Sequence, residues 1–241
     1  MKIRNFYSPN FSRRKRLNNS IKVIIIHYTG MQSERESMIR LCNPKSKVSS
    51  HFVISQNGKI YRLVQDNQIA WHAGKSCWAQ YKNLNKNSIG IELVNKGHQF
   101  GYTNFKKKQL LSLIKIFRSL IKKYKIKKRN VVGHSDIAPL RKIDPGEKFP
   151  WKQLANNRIG IWHHCKPSLL RKYRNVKILE EKDKKKFIKN LNKIGYCFSS
   201  KKKSFLVKML KAFQRHYRQE LINGYADKEC LIIAQNLSKK L

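Results

Sequence analysis

Acidic side chains are scarce. Only 13 Asp and Glu stand against 54 Lys and Arg in 241 residues, which leaves a formal charge of +41. Such an excess points to a polyanionic partner: nucleic acid, anionic wall polymer or membrane surface. Its distribution weakens that reading, because the cations are spread along the whole chain as solvated, mostly Lys-bearing faces. No nucleic-acid motif accompanies them, so nucleic acid is not expected as a partner. Glycine (11) and proline (6) are too few for a fibrous protein. Apolar runs such as Val23-Ile24-Ile25-Ile26 fall far short of the roughly 20 residues that cross a bilayer as a helix. The five cysteines, at 42, 77, 165, 197 and 230, are odd in number and lack any Cys-x-x-Cys spacing. A disulfide framework or a Cys-rich zinc ribbon is therefore not expected, and the thiols read as reduced and structural. Arg13-Arg14-Lys15-Arg16 occupies the place where a secretion signal would carry its apolar segment. As written the chain reads as cytoplasmic, or as a cell-envelope protein if the true start lies elsewhere.

What is present suffices for a folded core: 40% of residues are hydrophobic and 10% aromatic. The length suits one large domain or two small ones. Val23 to Ile26 reads as a strand buried on both faces. Ser37 to Leu41 reads as a short helix. His51–Ser55 and Lys59–Val64 flank Asn57-Gly58 and read as a hairpin with positive φ at both turn residues. Ser88 to Val94 is a further strand. From Phe105 to Tyr124 apolar residues recur with helical spacing beneath a Lys-rich face. Val131-Val132 is a short strand running into Gly133-His134. After a basic stretch at 166–186 come three short amphipathic patterns, at Phe187–Ile194, Phe205–Phe213 and Cys230–Leu237. The expected architecture is α/β: a mixed central sheet flanked by helices over 1–160, a linker at 161–171, and a small three-helix domain over 172–241.

Candidate chemistry gathers at strand ends and loops. His27 follows the first buried strand, His134 follows Val131-Val132-Gly133, and Asp144 lies ten residues later before Pro145-Gly146. Two imidazoles and a carboxylate form a suitable ligand set for catalytic zinc, with one position left for water of lowered pKa. Taken singly, a His after a strand can equally be a satisfied polar residue, and Asp before Pro-Gly a turn former.

The wider pattern is more specific. His27-Tyr28-Thr29-Gly30-Met31, Ser50-His51-Phe52-Val53-Ile54, Ala70-Trp71-His72-Ala73-Gly74, Ser88-Ile89-Gly90-Ile91-Glu92, Gly133-His134-Ser135-Asp136-Ile137-Ala138-Pro139 and Arg141-Lys142-Ile143-Asp144-Pro145-Gly146 occur in this order. Together, over residues 8–160, they resemble the zinc-dependent N-acetylmuramoyl-L-alanine amidases of the amidase-2 group, which is related to peptidoglycan recognition proteins. The resemblance implies a mixed sheet with a zinc groove at one edge, and His27, His134 and Asp144 as ligands of one zinc ion per chain. Glu92 matches the carboxylate that deprotonates the attacking water, and Lys142 the cation that stabilises the oxyanion. The implied reaction is hydrolysis of the amide between the lactyl group of N-acetylmuramic acid and L-alanine, with peptidoglycan or muropeptides as partner.

Residue chemistry agrees with these roles. Amide hydrolysis needs an activated water, a polarised carbonyl and a proton for the leaving amine. Trp71, His72 and Asn95 are candidate substrate contacts, and His51 reads as a residue that backs the site or as a core residue. His163-His164-Cys165 lacks further ligands and does not read as a second metal site. Ile69 and Leu140 depart from the residues many relatives carry, Arg and Gly respectively. Residues 172–241 resemble a small peptidoglycan-binding module, so their deletion is expected to weaken polymer binding more than cleavage. A monomer is expected. The competing reading is a non-catalytic peptidoglycan recognition protein, which metal content would discriminate.

Overall fold

In the computed structural model, which describes residues 2–198 and 202–241, strands run over Ile3–Asn5 (β1), Phe11–Ser12 (β2), Val23–Tyr28 (β3), Phe52–Ile54 (β4), Ile60–Arg62 (β5), Ile69–Ala70 (β6), Cys77–Trp78 (β7), Tyr81–Lys82 (β8), Ser88–Leu93 (β9) and Val131–Gly133 (β10). Helices run over Glu34–Cys42 (α1), Lys107–Tyr124 (α2), His134–Ile137 (α3), Trp151–Asn156 (α4), Pro167–Tyr173 (α5), Glu181–Ile194 (α6), Lys203–Tyr217 (α7) and Lys228–Ser238 (α8).

The β-branched run at β3 lies near the middle of a six-stranded sheet of order β1-β5-β4-β9-β3-β10. β4, β9, β3 and β10 are parallel along their shared edges, whereas β4 and β5 form an antiparallel hairpin. The sheet is therefore mixed, as the sequence predicts. Alternation along the strands sends side chains to opposite faces. Ile24, Ile26, Ile89, Ile91 and Leu93 join the apolar face of α2, with Leu113, Phe117 and Leu120, in one core cluster. Val23, Ile25 and Val132 point the other way, into a cluster with Phe187, Leu191, Met209, Phe213 and Ile233 of the C-terminal helices. That helical segment thus shares a core with one face of the central sheet. The stretch read as a linker carries the first part of α5, and its Ile161 and Trp162 pack against the same cluster.

Two expectations are corrected. Only Gly58 of the hairpin turn has positive φ (+87°). Asn57 does not adopt it; its Oδ1 instead accepts from the Ser55 hydroxyl and from Lys59 N. The thiols are not all reduced: Cys77 and Cys197 form a disulfide across 120 residues, while Cys42, Cys165 and Cys230 are free. No local spacing announces this bridge, because the packing of the turn after α6 against β7 creates the proximity. Gly195, the C-cap of α6, carries positive φ (+138°), and a Cβ there would lie 2.4 Å from the Trp78 ring. Glycine is what allows the turn to sit on that indole.

Candidate active site and metal centre

Parallel pairing decides where the chemistry collects. His27 on β3 is in register with Glu92 on β9, and Gly133, the residue before His134, is in register with Ile26. The carboxyl ends of adjacent parallel strands thus carry His27, Glu92 and His134 to one edge of the sheet, where open α/β sheets generally bind ligands. The loop after α3 returns Asp144 to the same point.

There the donor atoms converge. His27 Nδ1 lies 2.9 Å from His134 Nδ1 and 3.0 Å from Asp144 Oδ2; His134 Nδ1 lies 3.1 Å from the same oxygen. All three residues are buried. Ligand atoms about 2.0–2.1 Å from a tetrahedral zinc lie roughly 3.3 Å apart, so the triangle has nearly the size such an ion requires.

The outward ring nitrogens fix the tautomers. His134 Nε2 faces the Ala73 carbonyl at 3.3 Å and must donate to it. His27 Nε2 lies 3.1 Å from His72 Nδ1. His72 Nε2 in turn lies 3.2 Å from Ser88 Oγ, whose hydroxyl donates to the Leu84 carbonyl at 2.6 Å. Ser88 therefore accepts from His72, His72 accepts from His27, and both inward Nδ1 atoms are left as bare lone pairs. Burial, followed by neighbouring His134, pushes His27 down to about 4 and keeps it neutral. Two lone pairs and a carboxylate facing one another at 3 Å repel unless a cation lies between them, so the donor set fits a divalent metal.

Glu92 supplies a second sign. Its Oε2 is buried without a hydrogen-bond partner, and the residue lines the same cleft as His27, His134, Asp144, His72, Arg141 and Lys142. The cleft encloses about 330 Å³. Burial and the nearby Asp144 push Glu92 up to about 8, with Lys142 opposing. His72 reaches the cleft because Gly90 has no Cβ; one would stand 2.5 Å from the imidazole.

The other expected substrate contacts are placed differently. Trp71 donates its indole N–H to Ser12 Oγ and does not line the cleft around the ligands. Asn95 is buried, with its amide donating to the Thr103 carbonyl and accepting from Gly97 N. His51 is wholly buried, accepting from Gly90 N through Nδ1. Ile69 is buried in β6, and Leu140 is exposed. Arg141 carries no sequence signal of its own beside so many cations. Its guanidinium donates to the carbonyls of Ala73 and Lys75 and clamps the 73–75 loop to the loop that carries Asp144. No helix among the described residues is long and apolar enough to cross a membrane.

Known proteins give the same picture. Residues 17–147 match the family model described as N-acetylmuramoyl-L-alanine amidase. The N-acetylmuramoyl-L-alanine amidase AmiD of Escherichia coli is 37% identical over 236 residues, covering 91% of this chain and 83% of that protein. The 1,6-anhydro-N-acetylmuramyl-L-alanine amidase AmpD of Haemophilus influenzae is 34% identical over 172 residues, covering 64% of this chain and 91% of that protein. Among solved structures, the complex of E. coli AmiD with anhydro-N-acetylmuramic acid-L-Ala-D-gamma-Glu-L-Lys superposes with a TM-score of 0.80 at 34% identity, covering 95% of this chain and 92% of that one. AmpDh3 of Pseudomonas aeruginosa with anhydromuramic pentapeptide gives 0.80 at 29% identity, covering 95% and 94%.

Proposed function

The chain belongs to the N-acetylmuramoyl-L-alanine amidase family, and on that premise we propose that it hydrolyses anhydro-muramyl peptides with one zinc ion held by His27, His134 and Asp144. The amidase activity is that of the family. The choice of substrate form is supported by the two solved relatives, whose bound ligands are an anhydro-N-acetylmuramic acid tripeptide and an anhydromuramic pentapeptide. Arg40, Arg141 and Lys142 line the cleft and suit the carboxylates of a stem peptide.

When bound, zinc would supply Lewis acidity toward the scissile carbonyl and toward the attacking water. The chain's own residues carry the remaining work. Glu92, with a free carboxylate oxygen and an affinity for protons near neutrality, takes the proton from the water and delivers it to the leaving L-alanine nitrogen. Lys142 places a positive charge beside the developing oxyanion. His72 and the Ala73 carbonyl hold the two imidazoles in the orientation that leaves Nδ1 free.

The observation that carries this reading is the triangle of bare donor atoms beside an unpartnered Glu92 oxygen. Purified protein incubated with soluble anhydro-muramyl peptides and with intact sacculi, with and without chelator, checks it by mass spectrometry of the products. Release of the L-alanine-headed peptide from the soluble substrate, abolished by chelation and restored by zinc, is expected. Absence of cleavage in the presence of zinc would overturn it; cleavage of sacculi alone would overturn the substrate assignment.

A further inference from the structure

Asp136 lies two residues beyond the ligand His134 and is almost wholly buried. Its Oδ2 accepts from Gly133 N at 2.8 Å, the backbone amide of the residue just before His134. The same oxygen accepts from His216 Nδ1 at 2.8 Å, and Oδ1 accepts from the Tyr196 hydroxyl at 2.7 Å. Tyr196 follows α6, and His216 lies on α7. A carboxylate that belongs to the metal-binding loop is therefore held from its far side by two side chains of the C-terminal helical segment.

The surroundings make this arrangement rigid. His216 stacks between Trp151, with ring centroids 3.7 Å apart, and Tyr217, at 4.0 Å. Tyr196 packs edge-on against Trp78 and Phe213. Burial and Asp136 push the Tyr196 hydroxyl far above its ordinary range, so it remains a donor. A buried carboxylate needs all such donors, because each missing partner leaves charge unsolvated in a region that excludes water.

We propose that Tyr196 and His216 are positioning residues for the metal ligand His134, acting through Asp136, so that the C-terminal helices form part of the metal-site scaffold. The inference rests on the zinc reading above. When either donor is lost, Asp136 shifts toward its remaining partners, the Gly133 peptide follows, and the His134 ring turns away from the geometry that leaves Nδ1 on the metal. The effect is on metal affinity, not on contact with substrate.

Tyr196→Phe removes one hydroxyl. His216→Phe keeps the stack with Trp151 and Tyr217 but removes the N–H donor, and His216→Asn restores a donor near the Nδ1 position. Zinc dissociation constants are measured on the folded full-length chain by competition with a chromogenic chelator, alongside the melting temperature of the metal-free protein. Zinc binding by the unsubstituted chain tests the underlying reading separately and first. Tyr196→Phe and His216→Phe should each weaken zinc about tenfold, the lower end of what outer partners of metal ligands contribute, and His216→Asn should recover most of that loss. Unchanged zinc affinity in both phenylalanine variants would overturn the proposal. So would a loss that merely follows melting temperature and is not rescued by asparagine.

Discussion

His27 Nε2 lies 3.1 Å from His72 Nδ1, and the line continues from His72 Nε2 through Ser88 Oγ to the Leu84 carbonyl. A buried polar chain thus ends on the backbone at one side and on His27, one of the three candidate metal donors, at the other. Replacing His72 with Phe leaves the ring space filled but removes the acceptor that keeps the His27 proton on Nε2. Zinc affinity should fall about 10- to 100-fold. Isothermal titration with zinc at pH 7 checks this; affinity equal to that of the unsubstituted chain would refute the tautomer assignment.

Glu92→Gln should separate metal binding from turnover. The side chain is not one of the converging donors, so zinc content should remain at one ion per chain. The proton shuttle proposed for Glu92 is then lost, and kcat should drop about 10²- to 10⁴-fold. Metal analysis and product formation on the same preparation decide it. Loss of zinc would mean that the carboxylates have exchanged roles.

The Cys77–Cys197 bridge ties the β7 loop, just beyond the Ala73 carbonyl that anchors His134, to the end of α6. Reduction, or the double substitution of both cysteines by serine, should destabilise the protein by about 2–4 kcal/mol. Urea denaturation with and without reductant measures this. Equal stability in both states would show that the bridge contributes nothing.

Deletion of 172–241 should not yield a truncated but active enzyme. Val23, Ile25 and Val132 are wholly buried in a cluster shared with α6, α7 and α8. Removing these helices strips one face of the central sheet, and the shortened chain should be recovered as aggregate. A soluble, folded fragment that still cleaves soluble muropeptides would contradict the shared core.

Asp66 contributes a pH dependence to stability. Burial would raise its carboxyl, but the Tyr124 hydroxyl at 2.6 Å, Arg62 and Lys123 prevail and hold it below its ordinary value. A carboxyl depressed in the folded state stabilises above its unfolded pKa of about 3.9, and that contribution disappears as pH falls through the lower folded value. Asp66→Asn should therefore cost about 1–3 kcal/mol at pH 7, with the gap closing below about pH 4. A gap that stays constant between pH 7 and pH 3 would refute the assignment.

The order of blocks along the chain determined much by itself. The β-branched run at β3, the alternation at β9 and the helical period of α2 fix a mixed α/β sheet, because each follows from which faces a segment must bury. The candidate metal donors His27, His134 and Asp144, which the fold brings together, are legible because ligand chemistry allows few residue types, and each stands in a recognisable local frame. Tertiary structure alone decided the rest. Parallel register set His27 opposite Glu92, and loop packing turned Asn95 to backbone partners and Arg141 to the Ala73 carbonyl. Cys77 and Cys197 became neighbours only when α6 docked, and Asp136 met Tyr196 and His216 only when one face of the sheet accepted the C-terminal helices. Those contacts join residues 60 to 120 positions apart. Local patterns encode what a segment buries, whereas the partner it buries against is chosen by the packing of the whole chain.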